Sequence, residues 1–224
     1  VTKNNWIRAG DITCRNGDSI IKQIETRTVS HIYAMGSSGR IYTIPVDKIV
    51  GIKHEGVPVS SLIDSGGDTI VGIIGGNPKD SFVFMSSDGY GFKCELSKLT
   101  TRQRSGKQLV TVRDDIKAIT PVKMDKGKLH IFTDSADYMC IDSKEIPSSE
   151  GGRGLQLAKI VDCTVLCVAI NSNKQITVRY PVKDRYKTSS VTVPAVPRAS
   201  KPKQYFSKEI VKYILNDPLN VTLE

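Results

Sequence analysis

The sequence predicts an all-β protein assembled from about five propeller-type blades of four strands each. Three observations predict it. Short runs rich in Val, Ile, Thr and aromatic residues alternate with Gly, Asp, Ser and Asn, and helical periodicity is nearly absent. One hairpin pattern recurs at intervals of roughly 35–50 residues. A polar, glycine-containing connector follows most of the hairpins.

The hairpin is clearest in "AMGSSGRIYTIPVDKIV" (34–50), "FMSSDGYGFKCELSKLT" (84–100) and "IFTDSADYMCIDSKEIP" (131–147). Gly39, Gly89 and Ala136 fall in register, as do Tyr42, Phe92 and Met139, then Ile44, Cys94 and Ile141. Turn-forming residues sit where each hairpin reverses. Alternating apolar positions then turn one face of the second strand inward. Weaker copies flank these: "VTKNNWIRAG" (1–10), with its turn at Asn4-Asn5, and "VLCVAINSNKQITVRYPV" (165–182), with its turn expected at Asn171–Asn173.

The connectors are "CRNGDSI" (14–20), "GIKHEGVPVSSLI" (51–63), "TRQRSGKQLVTV" (101–112) and "SSEGGRGLQLAKI" (148–160), with Gly17, Gly56, Gly106 and Gly154 in comparable places. Glycine there implies a positive φ or close backbone approach. The fifth copy has no obvious connector. It runs through "RYPVKDRYKTSS" into "VPAVPRASKPKQ", which reads as a Pro/Lys linker. The sequence therefore divides into a bladed domain over 1–195 and a linker with a C-terminal tail over 196–224, the tail closing or packing on the last blade. "YFSKEIVKYILNDP" (205–218) is expected to be a helix capped by Ser207, with Ile210, Val211, Ile214 and Leu215 toward the body. The competing reading is a closing strand, with "NVTLE" completing the last blade.

Several chemistries lack their residues. No apolar run approaches the ~20 residues of a membrane span, and no signal-peptide pattern is present. The start at Val1 fits a domain excised from a longer protein. Cys14, Cys94, Cys140, Cys163 and Cys167 include no CxxC pair and are expected to be buried thiols in a reducing cytoplasm. Ser105-Gly106-Lys107 resembles the end of a phosphate loop, but Thr101 stands where its first glycine belongs and Gln108 where Ser or Thr belongs. Asp114-Asp115 is expected to form a turn. His31, His54 and His130 are far apart, so no metal site is expected, and no catalytic residue or cofactor is assigned to this chain.

What remains is charge. The formal net charge is +9, which favours anionic partners. Basic residues mark loops and strand edges: Arg8, Arg15, Arg40, Lys53, Lys93, Arg102, Arg104, Lys107, Arg153, Lys183, Arg185 and Lys187. Repeated units place equivalent loops on one rim, so these cations are expected to track a phosphate backbone in a salt-sensitive way. Few aromatics lie among them, which favours duplex over single-stranded binding.

"SSDGYGFKCELSKL" followed by "TTRQRSGKQLVTV" resembles the repeat of the C-terminal domain of bacterial type IIA topoisomerase A subunits. "VTKNNWIRAG" is similar to that domain's first strand, and "SSGRIYTIPVDKI…EGVPVSSLI" to its second unit. The resemblance covers about residues 1–180. Gyrase A subunits carry a Gln-Arg-Arg-Gly-Gly-Lys-Gly box. The nearest stretch here, "RQRSGKQ" (102–108), keeps Arg104, Gly106 and Lys107 but has Arg102 and Gln108 at its ends. The resemblance is therefore closer to the topoisomerase IV branch than to a DNA-wrapping gyrase domain. It implies a β-pinwheel that binds and bends double-stranded DNA on a basic outer rim, setting substrate preference in decatenation and supercoil relaxation. It also implies a cytoplasmic, nucleoid-associated parent chain that is dimeric, pairs with the B subunit of topoisomerase IV, and uses ATP and magnesium elsewhere. The fragment itself is expected to be monomeric. A protein- or RNA-binding propeller scaffold is the alternative of another class.

Overall fold

A computed structural model describes residues 22–27, 29–49, 51, 56–172 and 175–224. In the first unit, β1 (His31–Gly36) and β2 (Arg40–Pro45) form a hairpin. Helix α1 (Val59–Leu62) follows, and β3 (Ile70–Ile74) returns to pair with β1. The second hairpin is β4 (Ser81–Met85) with β5 (Tyr90–Glu95). Its connector carries β6 (Lys107–Gln108) back to β2, and β7 (Val122–Lys123) then pairs with β4. The third is β8 (Lys128–Thr133) with β9 (Asp137–Asp142). It sends β10 (Leu155–Gln156) back to β5, and β11 (Val165–Asn171) pairs with β8. The fourth is β12 (Gln175–Val182) with β13 (Arg185–Thr192). It sends β14 (Lys203–Gln204) back to β9. Helix α2 (Lys208–Asn216) and β15 (Thr222–Leu223) follow, and β15 pairs with β12.

Each hairpin thus lends a short strand to the blade before it. The result is a β-pinwheel. Among the described residues it has three four-stranded sheets and a last sheet of three strands, β13-β12-β15. No later unit within these residues lends the last blade its fourth strand. The blade expected from residues 1–10 lies outside the described residues.

The blades are held face to face by strand alternation. Phe82 and Phe84 of β4 face the first blade, where they meet Tyr33, Met35 and Ile41. Val83 and Met85 face the third, where they meet Leu129, Ile131, Met139 and Ile141. Phe132, Tyr138 and Cys140 meet Ile176, Val178 and Tyr180 of the fourth, sealed by Val211 and Ile214 of α2. Cys94 and Cys140 are buried free thiols, and Cys163 and Cys167 are partly exposed.

The register of Gly39 and Gly89 has a steric cause. Both have positive φ, 85° and 88°. The Gly39 carbonyl accepts hydrogen bonds from the N–H groups of Leu109 (3.0 Å) and Val110 (2.9 Å), clasping the strand lent by the next unit. A Cβ at Gly39 would stand 1.9 Å from the Val110 carbonyl oxygen. Gly39→Ala is therefore expected to cost about 2–3 kcal/mol, from left-handed strain plus loosening of the clasp. Chemical denaturation checks this, and a loss under ~1 kcal/mol would contradict the clasp. Ala136 holds the same turn at φ 63°.

Asp68 ties the first blade's turn. It accepts from the Ser38 hydroxyl, the Ser38 N–H (3.0 Å), the Ser37 hydroxyl (3.0 Å) and the Tyr42 hydroxyl (3.1 Å). Burial pushes its carboxyl up, but these hydrogen bonds outweigh burial and hold it below the usual carboxylate range. A depressed native pKa adds stability above the unfolded value of about 3.9 and loses it as pH falls through the native value. The thermal midpoint is expected to fall between about pH 5 and pH 2, and Asp68→Asn should flatten that fall. Equal acid sensitivity in the variant would assign the effect to other carboxylates.

Four sequence readings are corrected. Asn171 ends β11, which pairs with β8, so the chain changes blades there. The fourth hairpin reverses instead at Lys183-Asp184, with Lys183 at φ 53°. "VPAVPRASKPKQ", whose composition reads as a linker, carries β14, which pairs with β9. Gly56 leads into helix α1 and not into an apolar strand. Leu215 is 50% exposed, because the buried stripe of α2 is Val211 and Ile214. Helix α2 itself forms as expected, with the Ser207 hydroxyl accepting from the Ile210 N–H. The strand reading is realised beside it in β15.

Candidate nucleic-acid interface

The lent strands set three connectors in register. Gln108 pairs with Arg40, Gln156 with Tyr90 and Gln204 with Asp137, each opposite the first residue of a second hairpin strand. Gly106 precedes the first of these by two residues because nothing larger fits. A Cβ there would stand 2.6 Å from the Ile41 carbonyl oxygen and 2.8 Å from the Tyr42 ring. Gly154 holds the same place in the second connector, and buried Pro202 holds it in the third.

The connectors also touch one another. The Thr111 N–H donates to the Gly152 carbonyl (3.0 Å) and the Gly152 N–H to the Leu109 carbonyl (2.8 Å). One blade further on, the Lys159 N–H donates to the Ser200 carbonyl (2.9 Å) and the Ala199 N–H to the Leu157 carbonyl (2.9 Å). The three therefore run as one hydrogen-bonded ribbon along a single edge of the blade stack.

Around the first connector the structure gathers Arg40, Arg102, Arg104 and Lys107. Arg40 anchors it: Nε donates to the Ser105 carbonyl (2.9 Å) and Nη2 to the Gly106 carbonyl (3.0 Å). Arg104 Nη2 donates to the Ser61 carbonyl (3.2 Å), and Lys107 Nζ donates to the Lys98 carbonyl. Arg102 is exposed. Lys93 lies half-buried in β5, its backbone paired with Pro147 and Ser149 of the second connector. Arg153, partly exposed, is engaged by groups of its own chain. Its Nη2 sits 3.0 Å from Asp88 Oδ2, and its guanidinium lies 3.7 Å above the Tyr90 ring centre. Lys183, Arg185 and Lys187 are exposed on the last hairpin. There β13 occupies the place of β2, β5 and β9, the side on which strands are lent. Arg8, Arg15 and Lys53 lie outside the described residues.

Sequence reasoning misses Arg198, Lys201 and Lys203. All are exposed on the third connector, a stretch whose composition reads as a linker. The signal is a shared spacing: "SGKQL", "RGLQL" and "KPKQY" align on their glutamines, but proline in place of glycine hides the match. Lys98 is missed as well. It pairs with Glu150 at 2.9 Å, a contact that raises the ammonium pKa and lowers that of the carboxyl. Among the described residues no group of His, Cys, Asp or Glu could hold a metal ion. No helix there is long and apolar enough to cross a membrane.

No family model matches the chain. The DNA topoisomerase 4 A subunit of Rickettsia bellii is 25% identical over 177 residues, 75% of this chain and 24% of that protein. Its Escherichia coli K12 counterpart is 24% identical over 161 residues, 70% of this chain and 21% of that protein. That of Neisseria gonorrhoeae is 36% identical over 127 residues, 53% of this chain and 16% of that protein. This chain is similar to the A subunit of DNA topoisomerase IV. It spans about a quarter or less of the length of these topoisomerase IV relatives. The C-terminal domain of E. coli ParC superposes with a TM-score of 0.75 at 18% identity, covering 97% of this chain and 91% of that domain. The gyrase A C-terminal domain gives 0.62 at 13% identity, covering 90% of this chain and 68% of its own. Both likenesses are of fold: the β-pinwheel.

Proposed function

We propose that this chain is the DNA-binding C-terminal part of a topoisomerase IV A subunit, holding a duplex along the connector ribbon. The observation that carries the reading is the ribbon itself: equivalent loops, hydrogen-bonded in series, present two exposed cation clusters on one edge. Phosphate neutralisation by such cations releases counterions and is independent of base sequence. The curved track bends the duplex, at a cost of a few kcal/mol offset by added phosphate contacts. That bend sets which DNA crossings the parent enzyme favours in decatenation and supercoil relaxation. Arg153 covers the Tyr90 ring and Arg179 the Tyr186 ring, which leaves fewer open faces for stacked single strands. Strand passage, ATP and magnesium chemistry and pairing with the B subunit belong to other parts of that dimeric, nucleoid-bound enzyme.

The test is fluorescence anisotropy of a labelled duplex of about three helical turns, titrated with the 224-residue chain across a salt series. A straight log K against log salt line, falling ~0.9 per neutralised phosphate, is expected. Absent or salt-independent binding would favour a protein-binding scaffold.

A further inference from the structure

The ribbon is not evenly charged. Counting back six residues from the three aligned glutamines gives Arg102, Glu150 and Arg198. Counting back one gives Lys107, Leu155 and Lys203. The outer connectors each carry three cations and no acid over this span, whereas the middle one carries one acid and one cation. Even that cation is committed, since Asp88 pairs with Arg153. Glu150 also reaches across the blade boundary to Lys98, 2.9 Å away, and lies in the field of Lys107. Both partners of the Lys98 pair are exposed, so the pair adds little to stability. Its consequence is electrostatic: it cancels a cation on the surface that faces the partner.

We propose that Glu150 divides the DNA-binding edge into two separate stations, connectors one and three. It does so by repelling phosphate and occupying Lys98 at the blade between them. The duplex then touches the edge at two places and is left free at the middle, so it is held less tightly than on a continuous track.

This inference rests on the DNA-binding reading, and the experiment separates the two. The full 224-residue chain is compared as wild type, Glu150→Gln, Glu150→Arg and Glu209→Gln. The last removes the same charge from exposed helix α2. Binding of a duplex of about three turns is measured at low and moderate salt. Glu150→Gln is expected to tighten binding about fivefold at low salt, the worth of one close charge pair in water. Glu150→Arg should tighten it further and steepen the salt slope by about 1–2, for the new arginine and the released Lys98. Glu209→Gln should change affinity less than twofold. If wild type binds with a salt slope but Glu150→Gln shifts affinity no more than Glu209→Gln, the division of the edge is overturned while DNA binding stands. If wild type does not bind, the functional reading falls first and the inference with it.

Discussion

Replacing Arg102, Arg104 and Lys107 by Ala together is expected to weaken duplex binding on the order of a hundredfold near 0.1 M salt. It should also lower the salt slope by about 2–3. The three belong to one exposed connector, and none lies in a hydrophobic cluster. Arg104 and Lys107 donate only to main-chain carbonyls of Ser61 and Lys98, so the fold should survive. The anchor of this loop, Arg40, is left in place. The matching variant of Arg198, Lys201 and Lys203 should lose a comparable factor. Combining both should abolish binding at moderate salt. Unchanged affinity in the first variant would place the connector off the DNA path. Unchanged affinity in the second would restrict the path to the earlier blades.

Phe92→Ala is expected to destabilise the protein by about 3–5 kcal/mol. Phe92 is fully buried, stacks with Phe84 at a centroid distance of 6.0 Å, and belongs to the cluster joining the first two blades. Its ring also lies against the Gly154 site where the second connector passes. Truncation removes apolar surface and leaves a void between blades that cannot close without shifting a lent strand. A denaturant titration at fixed pH measures this. A loss below about 1 kcal/mol would mean that the interblade core is not close-packed at this residue. Duplex affinity at temperatures where the variant stays folded should drop only modestly, since the cations remain.

The blades are legible in the sequence because their turns demand particular residues. Gly39 and Gly89 stand where a positive φ and a carbonyl clasp leave no room for a side chain, so two repeats announce themselves. Ala136 keeps the third in register. The fourth hairpin is easily misread because its true turn, Lys183-Asp184, contains no glycine, while the turn formers Asn171 and Ser172 stand at the end of β11. Strand exchange has no local signature at all. A two-residue strand such as Lys203–Gln204 has too few positions to show alternation, and its pairing with Tyr138 and Asp137 is a long-range property. The same blindness hides Arg198, Lys201 and Lys203. Charge can be read from sequence, but neutralisation cannot: Arg153 looks like a free cation until Asp88 and Tyr90 are placed around it.

Amide hydrogen exchange of the full chain with and without saturating duplex tests the central claim most directly, because it reports every connector at once. Slower exchange in 102–108 and 198–204 together, with a smaller change in 150–156, is the predicted result. Protection confined to β3, β7 and β11, on the opposite sheet edges, would contradict it.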